Sequence, residues 1–227
     1  MAGLAVGSSL IVKGLLRYHL PEATWRPLVV HLGYPVGFIL VVLGQLQMIS
    51  GNTLTPIVPL LRRLDGHTLR GVFRVWLIVA VANLSGALAI AAILARTPVF
   101  DAPVQVVFTQ VSQESMGSNV GVTFLRAIFA GWLIALMVWI LHAGESPRWF
   151  IVALITYVIS IGHFAQALAG AVEVFYLAVS GSTTWLKALG GFILPALIGN
   201  VLGGAALLAI LSAGKITIPA AGNAADG

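Results

Sequence analysis

An all-α bundle that crosses a membrane several times is the fold class this sequence predicts, and three observations predict it. Of 227 residues, 59% are hydrophobic and only 8% are charged, against about 25% charged in a soluble domain. Mean hydropathy is +1.01. The apolar residues also gather into six runs, each long enough to cross a bilayer, joined by short polar links. The second and fifth runs are over-long and carry glycine and polar residues inside, so these two helices are expected to be interrupted.

The runs follow in order. Residues 2–20 form the first span; Gly3 and Gly7 give it a small-residue face for close helix contact. Lys13 and Arg17 lie towards its end, where long side chains can snorkel to the interface. Residues 1–14 lack a basic leader, which favours a span over a signal peptide. The second run, 28–61, breaks at residues 47–55, where Ser50-Gly51-Asn52-Thr53 precede Pro56 and Pro59. This reads as half-helix, loop, half-helix; the alternative is a span that ends at Leu46 with an interfacial loop after it. The third span is 72–94. Residues 96–119 form the longest polar connection. The fourth span is 122–141, with Arg126 near its start. The fifth run, 148–179, opens on Arg148 and is interrupted at Gly162-His163. The sixth is 186–211, and 215–227 is expected to be a flexible tail behind a single channel domain of residues 1–214.

Charge and repetition order the runs. The loop after the second run carries Arg62, Arg63, Arg70 and Arg74, which places it in the cytoplasm. With six spans, both termini then lie inside. Asn83-Leu84-Ser85-Gly86 in the third span resembles Asn200-Val201-Leu202-Gly203 in the sixth. Three segments per half give an inverted three-plus-three repeat, a pattern that puts the substrate path at the interface of the halves.

Several chemistries are excluded or unsupported. The chain has no cysteine, so there is no disulfide or thiolate. No motif of an enzyme, a cofactor site or a metal site is visible. The net charge of +5 is scattered over segment ends and makes no nucleic-acid stripe. Of five histidines, only His163 lies deep within a run. Ionisable groups at that depth usually face a bundle interior or a water-filled path, and an imidazole there can donate a hydrogen bond or a proton. A helix-tying hydrogen bond is the plainer role. Asn83 and Asn200 can satisfy the loose backbone of a broken helix or face a solute. Glu173 stands roughly 15 Å along a helix from His163, so a direct contact between them is not expected; a basic partner nearer the external face is.

The motifs taken in order resemble the formate/nitrite transporter family, in particular a divergent inner-membrane branch. They are Gln47-Met48-Ile49-Ser50-Gly51-Asn52, Asn83-Leu84-Ser85-Gly86, Phe124-Leu125-Arg126, Arg148, His163, and Ile198-Gly199-Asn200-Val201-Leu202-Gly203-Gly204. The resemblance implies a six-helix aquaporin-like protomer with interrupted second and fifth helices, a homopentamer in membrane lipid, and one pore per protomer. It implies a central histidine, His163, on a path that also includes Ile49, Ser50, Thr53, Asn83 and Asn200. Gly51, Asn52, Gly162 and Gly199 would support the interruptions, with Arg148 and Glu173 as accessory charges. The chain departs from the family pattern where Glu is usual (Gly162, Gln47), where Asn is usual (Gly131), and at Ile49, Ser50 and Arg148. The implied function is passage of a small monovalent anion or its neutral acid, such as formate, nitrite or hydrosulfide, across a bacterial inner membrane. A neutral-solute or water channel on the same scaffold, or a non-transporting membrane scaffold, are the alternatives.

Overall fold

The computed structural model describes residues 1–46, 66–143 and 147–213, and these are helical with no strand among them. The helices are α1 (Ala2–His19), α2 (Arg26–His31), α3 (Tyr34–Leu43), α4 (Gly66–Arg96), α5 (Ala102–Met116), α6 (Val120–Ala143), α7 (Arg148–Ile161), α8 (Ala167–Val179) and α9 (Leu194–Ala213). Among the described residues, four stretches are long and apolar enough to cross a membrane: Arg26–Leu43, Arg70–Arg96, Val120–His142 and Lys187–Leu211. Helices α7 and α8 are shorter apolar pieces, about 20 Å each, so neither spans a core of about 30 Å alone. The break expected at residues 47–55 lies outside the described residues, as does the tail.

Three boundaries differ from the sequence reading. The polar connection at 96–119 contains α5, whose Val104, Phe108, Val111 and Ser112 are buried; its apolar residues recur every three or four positions over too short a length to register as a run. The second run is already interrupted at Leu32-Gly33, between α2 and α3, because Pro35 sits in the first turn of α3 and restarts the helix. Finally, residues Lys187–Ile193 form a π-helical stretch directly before α9. Pro195 accounts for it: the ring cannot donate to, and crowds, the carbonyl four residues back, and a widened turn relieves that conflict.

The inverted repeat is visible in two sets of matched details. Helix α3 ends at Gly44 with φ −77° and ψ 2°; α7 ends at Gly162 with φ −78° and ψ −2°. The next residue is left-handed in both: φ is 50° at Gln45 and 51° at His163. The closing bonds match too. Gln45 N–H donates to Val42 O and Leu46 N–H to Val41 O, while His163 N–H donates to Ser160 O and Phe164 N–H to Ile159 O. These are paired Schellman ends, which satisfy carbonyls that a membrane offers no water for. Gly162 leaves room for the following ring to fold back: a Cβ there would lie 2.7 Å from Phe164.

The second matched set is a pair of helix crossings. A Cβ on Gly3 would fall 2.0 Å from Asn83 O, and one on Gly131 would fall 2.2 Å from Asn200 O. Thus α1 meets α4, and α6 meets α9, backbone against backbone at the asparagine of each half. Gly203 and Gly199 extend the second contact, against Ile128 O at 1.9 Å and Phe124 O at 2.7 Å. Such small-residue seams drive association where lipid removes the hydrophobic advantage.

The left-handed sites generate a prediction. Holding a non-glycine residue there costs roughly 1 kcal/mol, and Gln45 is exposed. Gln45→Gly should therefore stabilise the purified protein by about 1 kcal/mol, and Gln45→Val should destabilise it; thermal unfolding in mild detergent reads both.

Candidate functional site

The interruption between α7 and α8 is the chemical centre of the described structure. His163 is exposed there, on a left-handed backbone turn. Residues 162–166 leave peptide groups outside any helix, and two side chains take them up. Asn200, 6% exposed on α9, accepts from Ala167 N–H at 2.8 Å and donates to Ala165 O at 2.9 Å and to Ala127 O at 2.8 Å. Gln166 caps α8, its Oε1 accepting from Ala169 N–H at 2.7 Å. Asn200 thus ties the α8 side of the break to α6 and α9. Its role in the described structure is to hold backbone. Asn83, its counterpart, is buried, and its Nδ2 has no hydrogen-bond partner among the described residues.

In front of the break lies a cavity of about 40 Å³, bordered by α1, α2, α3, α5 to α8 and the π-helical stretch. His163, Phe164 and Gln166 line it from the break, and Lys13, His31, Glu114, Ser115, Arg126 and Glu173 are among the residues that complete the wall. The volume admits a water or a very small solute.

Sequence reading missed much of this wall. His31 is buried, its Nδ1 lies 2.6 Å from Ser160 Oγ, and its ring meets His163 edge-on at 5.4 Å between centroids. The signal was a shared face: His31, Tyr34, Phe38 and Val41 recur at helical spacing and are all buried. Lys13 does not snorkel. It is 5% exposed, because Gly33 on the facing chain packs against its backbone and Glu173 draws its ammonium inward at 3.0 Å. The other Glu173 oxygen accepts from Ser115, and the ammonium also stands 5.8 Å from the Tyr34 ring centre. Arg17 pairs with Glu114 nearer the surface.

The remaining candidates fall elsewhere. Arg148 is exposed at the start of α7 and does not line the cavity. Gly199 serves the α6–α9 seam, and Gly162 ends α7. Ile49, Ser50, Gly51, Asn52 and Thr53 lie outside the described residues. No cluster of three or more metal-binding side chains occurs among the described residues.

With this geometry in hand, comparison decides the relationship. The model of the formate/nitrite transporter family matches residues 1–214. The chain belongs to that family. It is 31% identical to the inner membrane protein YfdC of Escherichia coli (strain K12), over 95% of this chain and 69% of that protein. The formate channel BtFdhC of Bacillus thuringiensis is 28% identical over 82% of this chain and 73% of its own length. Among solved structures, a pentameric formate channel with formate bound superposes with a TM-score of 0.79 at 18% identity, covering 93% of this chain and 92% of that one. An ion channel of the same family gives 0.77 at 17% identity, covering 94% and 87%. The fold is the aquaporin-like helical protomer, and the protein is a multi-pass member of a family of membrane channels and transporters.

The buried bonds yield two predictions. Removing one partner of a buried ion pair strands the other, so Lys13→Leu should cost about 3–5 kcal/mol, and adding Glu173→Leu should restore most of it. Asn200→Leu strips partners from three backbone groups in a dry setting and should cost at least about 2–4 kcal/mol. Thermal unfolding in detergent measures both, and a Lys13→Leu variant as stable as the parent would refute the first.

Proposed function

We propose that each protomer passes a small monovalent anion, or its neutral acid, past His163, and that five protomers assemble around a lipid-filled axis. The observation that carries this reading is the placement of His163. A half-helix ends on it, it is exposed, and it borders a cavity also lined by Arg126 and by Lys13, Glu173 and Glu114, whose charges are each matched by an ion pair. Family membership and the formate channel among the relatives support a solute of the formate or nitrite kind, with hydrosulfide a third anion of the same charge. The other half of the path is assigned to Ile49, Ser50 and Thr53 on the second run, with Asn83 and Asn200 behind the two interruptions. The protein is assigned to a bacterial inner membrane with both termini in the cytoplasm.

The chemistry required is modest. A bare anion entering a dry pore loses its hydration at a large cost. A donor aimed at it offsets part of that cost. If His163 is charged, it can hand a proton to the anion, so that a neutral acid crosses the apolar stretch and releases the proton beyond it. Flux should then rise as pH falls, either because His163 protonates or because more neutral acid is supplied. His163→Asn separates the two causes, since it keeps a donor and removes the titration.

Liposomes loaded and challenged with formate, nitrite, hydrosulfide, water and glycerol test the reading directly. Anion flux with little glycerol flux is expected; flux of water and glycerol alone would assign a neutral-solute channel instead. The His163→Asn variant should flatten the pH dependence of anion flux while native mass spectrometry still shows a pentamer. An unaltered pH profile would remove His163 from proton transfer.

A further inference from the structure

Four formally charged side chains line the cavity in front of His163: Lys13, Glu114, Arg126 and Glu173. Lys13 and Glu173 neutralise each other at 3.0 Å, and Arg17 neutralises Glu114. Arg126 has no acidic partner among the described residues. Its Nη1 donates to Ser118 Oγ at 2.7 Å, and a hydroxyl leaves the guanidinium charge uncompensated. The side chain is half-buried, so water screens it less than it would screen a free surface arginine.

We propose that Arg126 is the recognition residue of this cavity and that it selects a planar oxyanion with two accepting oxygens, a carboxylate or nitrite, over a compact anion of the same charge. A guanidinium presents parallel N–H groups whose spacing matches two oxygens on one centre. Ser118 holds one arm of the fork and so fixes its plane, leaving the other N–H groups to the solute. An anion with a single accepting atom gains the charge but not the second bond. The two neutral pairs matter as much. Counted with Arg17, which pairs with Glu114 from outside the lining, the charged groups sum to +1, so one bound monovalent anion neutralises the set and a second would meet net repulsion.

This inference rests on the anion-passage reading, and its test keeps the two apart. Arg126→Lys preserves the charge and removes the fork; Arg126→Gln serves as a second variant if the first assembles poorly, with size-exclusion chromatography reporting assembly. In liposomes at one fixed pH, the ratio of formate flux to hydrosulfide flux should fall about tenfold in Arg126→Lys. An unchanged ratio, including an equal loss of both fluxes, overturns the proposal. Binding is read separately from the broadening of the 13C-formate resonance by the detergent-solubilised protein. Broadening by the parent that is lost in Arg126→Lys supports recognition by Arg126, even if no anion crosses and the transport reading alone fails. Equal broadening in both, or none with the parent, overturns it.

Discussion

The whole arrangement depends on one obligation: peptide groups placed at membrane depth must find partners inside the protein. Breaking the fifth segment after Ile161 releases several of them at once. Two Schellman bonds, a glutamine cap and the three hydrogen bonds of Asn200 account for the groups on both sides of the gap. Only then can His163 stand free of the helix. The glycine seam between α6 and α9 is part of the same solution, because Asn200 reaches Ala127 only when those two backbones nearly touch.

A second constraint concerns charge. The interior holds an ammonium and a carboxylate that would each be ruinous alone. They are placed on α1 and α8, with Ser115 of α5 completing the set. The pair therefore joins an element of the first half to one of the second. It also lets ionisable residues line a cavity without imposing a strong field on it, which leaves Arg126 and the two imidazoles to set its character.

Much of the fold was legible in the residues. Apolar run length marked the crossing segments. Gly162-His163 marked the fifth interruption, because an ionisable residue inside an apolar run is costly unless the run opens around it. The resemblance between Asn83-Leu84-Ser85-Gly86 and Asn200-Val201-Leu202-Gly203 pointed to the inverted repeat. What escaped was long-range. Nothing local distinguishes a lysine that snorkels from one that meets a carboxylate 160 positions away, and nothing local marks His31 as the neighbour of His163. Helix α5 escaped for a different reason: one buried face on a mostly polar helix is too faint a pattern to read without the surface it packs on. Arg148 was a cationic candidate by sequence position, while Arg126 is the cavity-lining cation that has no acidic partner among the described residues.

The paired helix ends carry a further consequence. Gln45 and His163 occupy the same socket, with the same backbone angles and the same closing bonds, in two halves of one chain. The socket constrains shape and is indifferent to titration, since an amide and an imidazole both fit it. In the genetic code, glutamine and histidine triplets differ only in the third base. A symmetric ancestor could thus acquire or lose its ionisable group by a single nucleotide change, with no remodelling of the scaffold, and the two helix ends could diverge in chemistry while remaining alike in form.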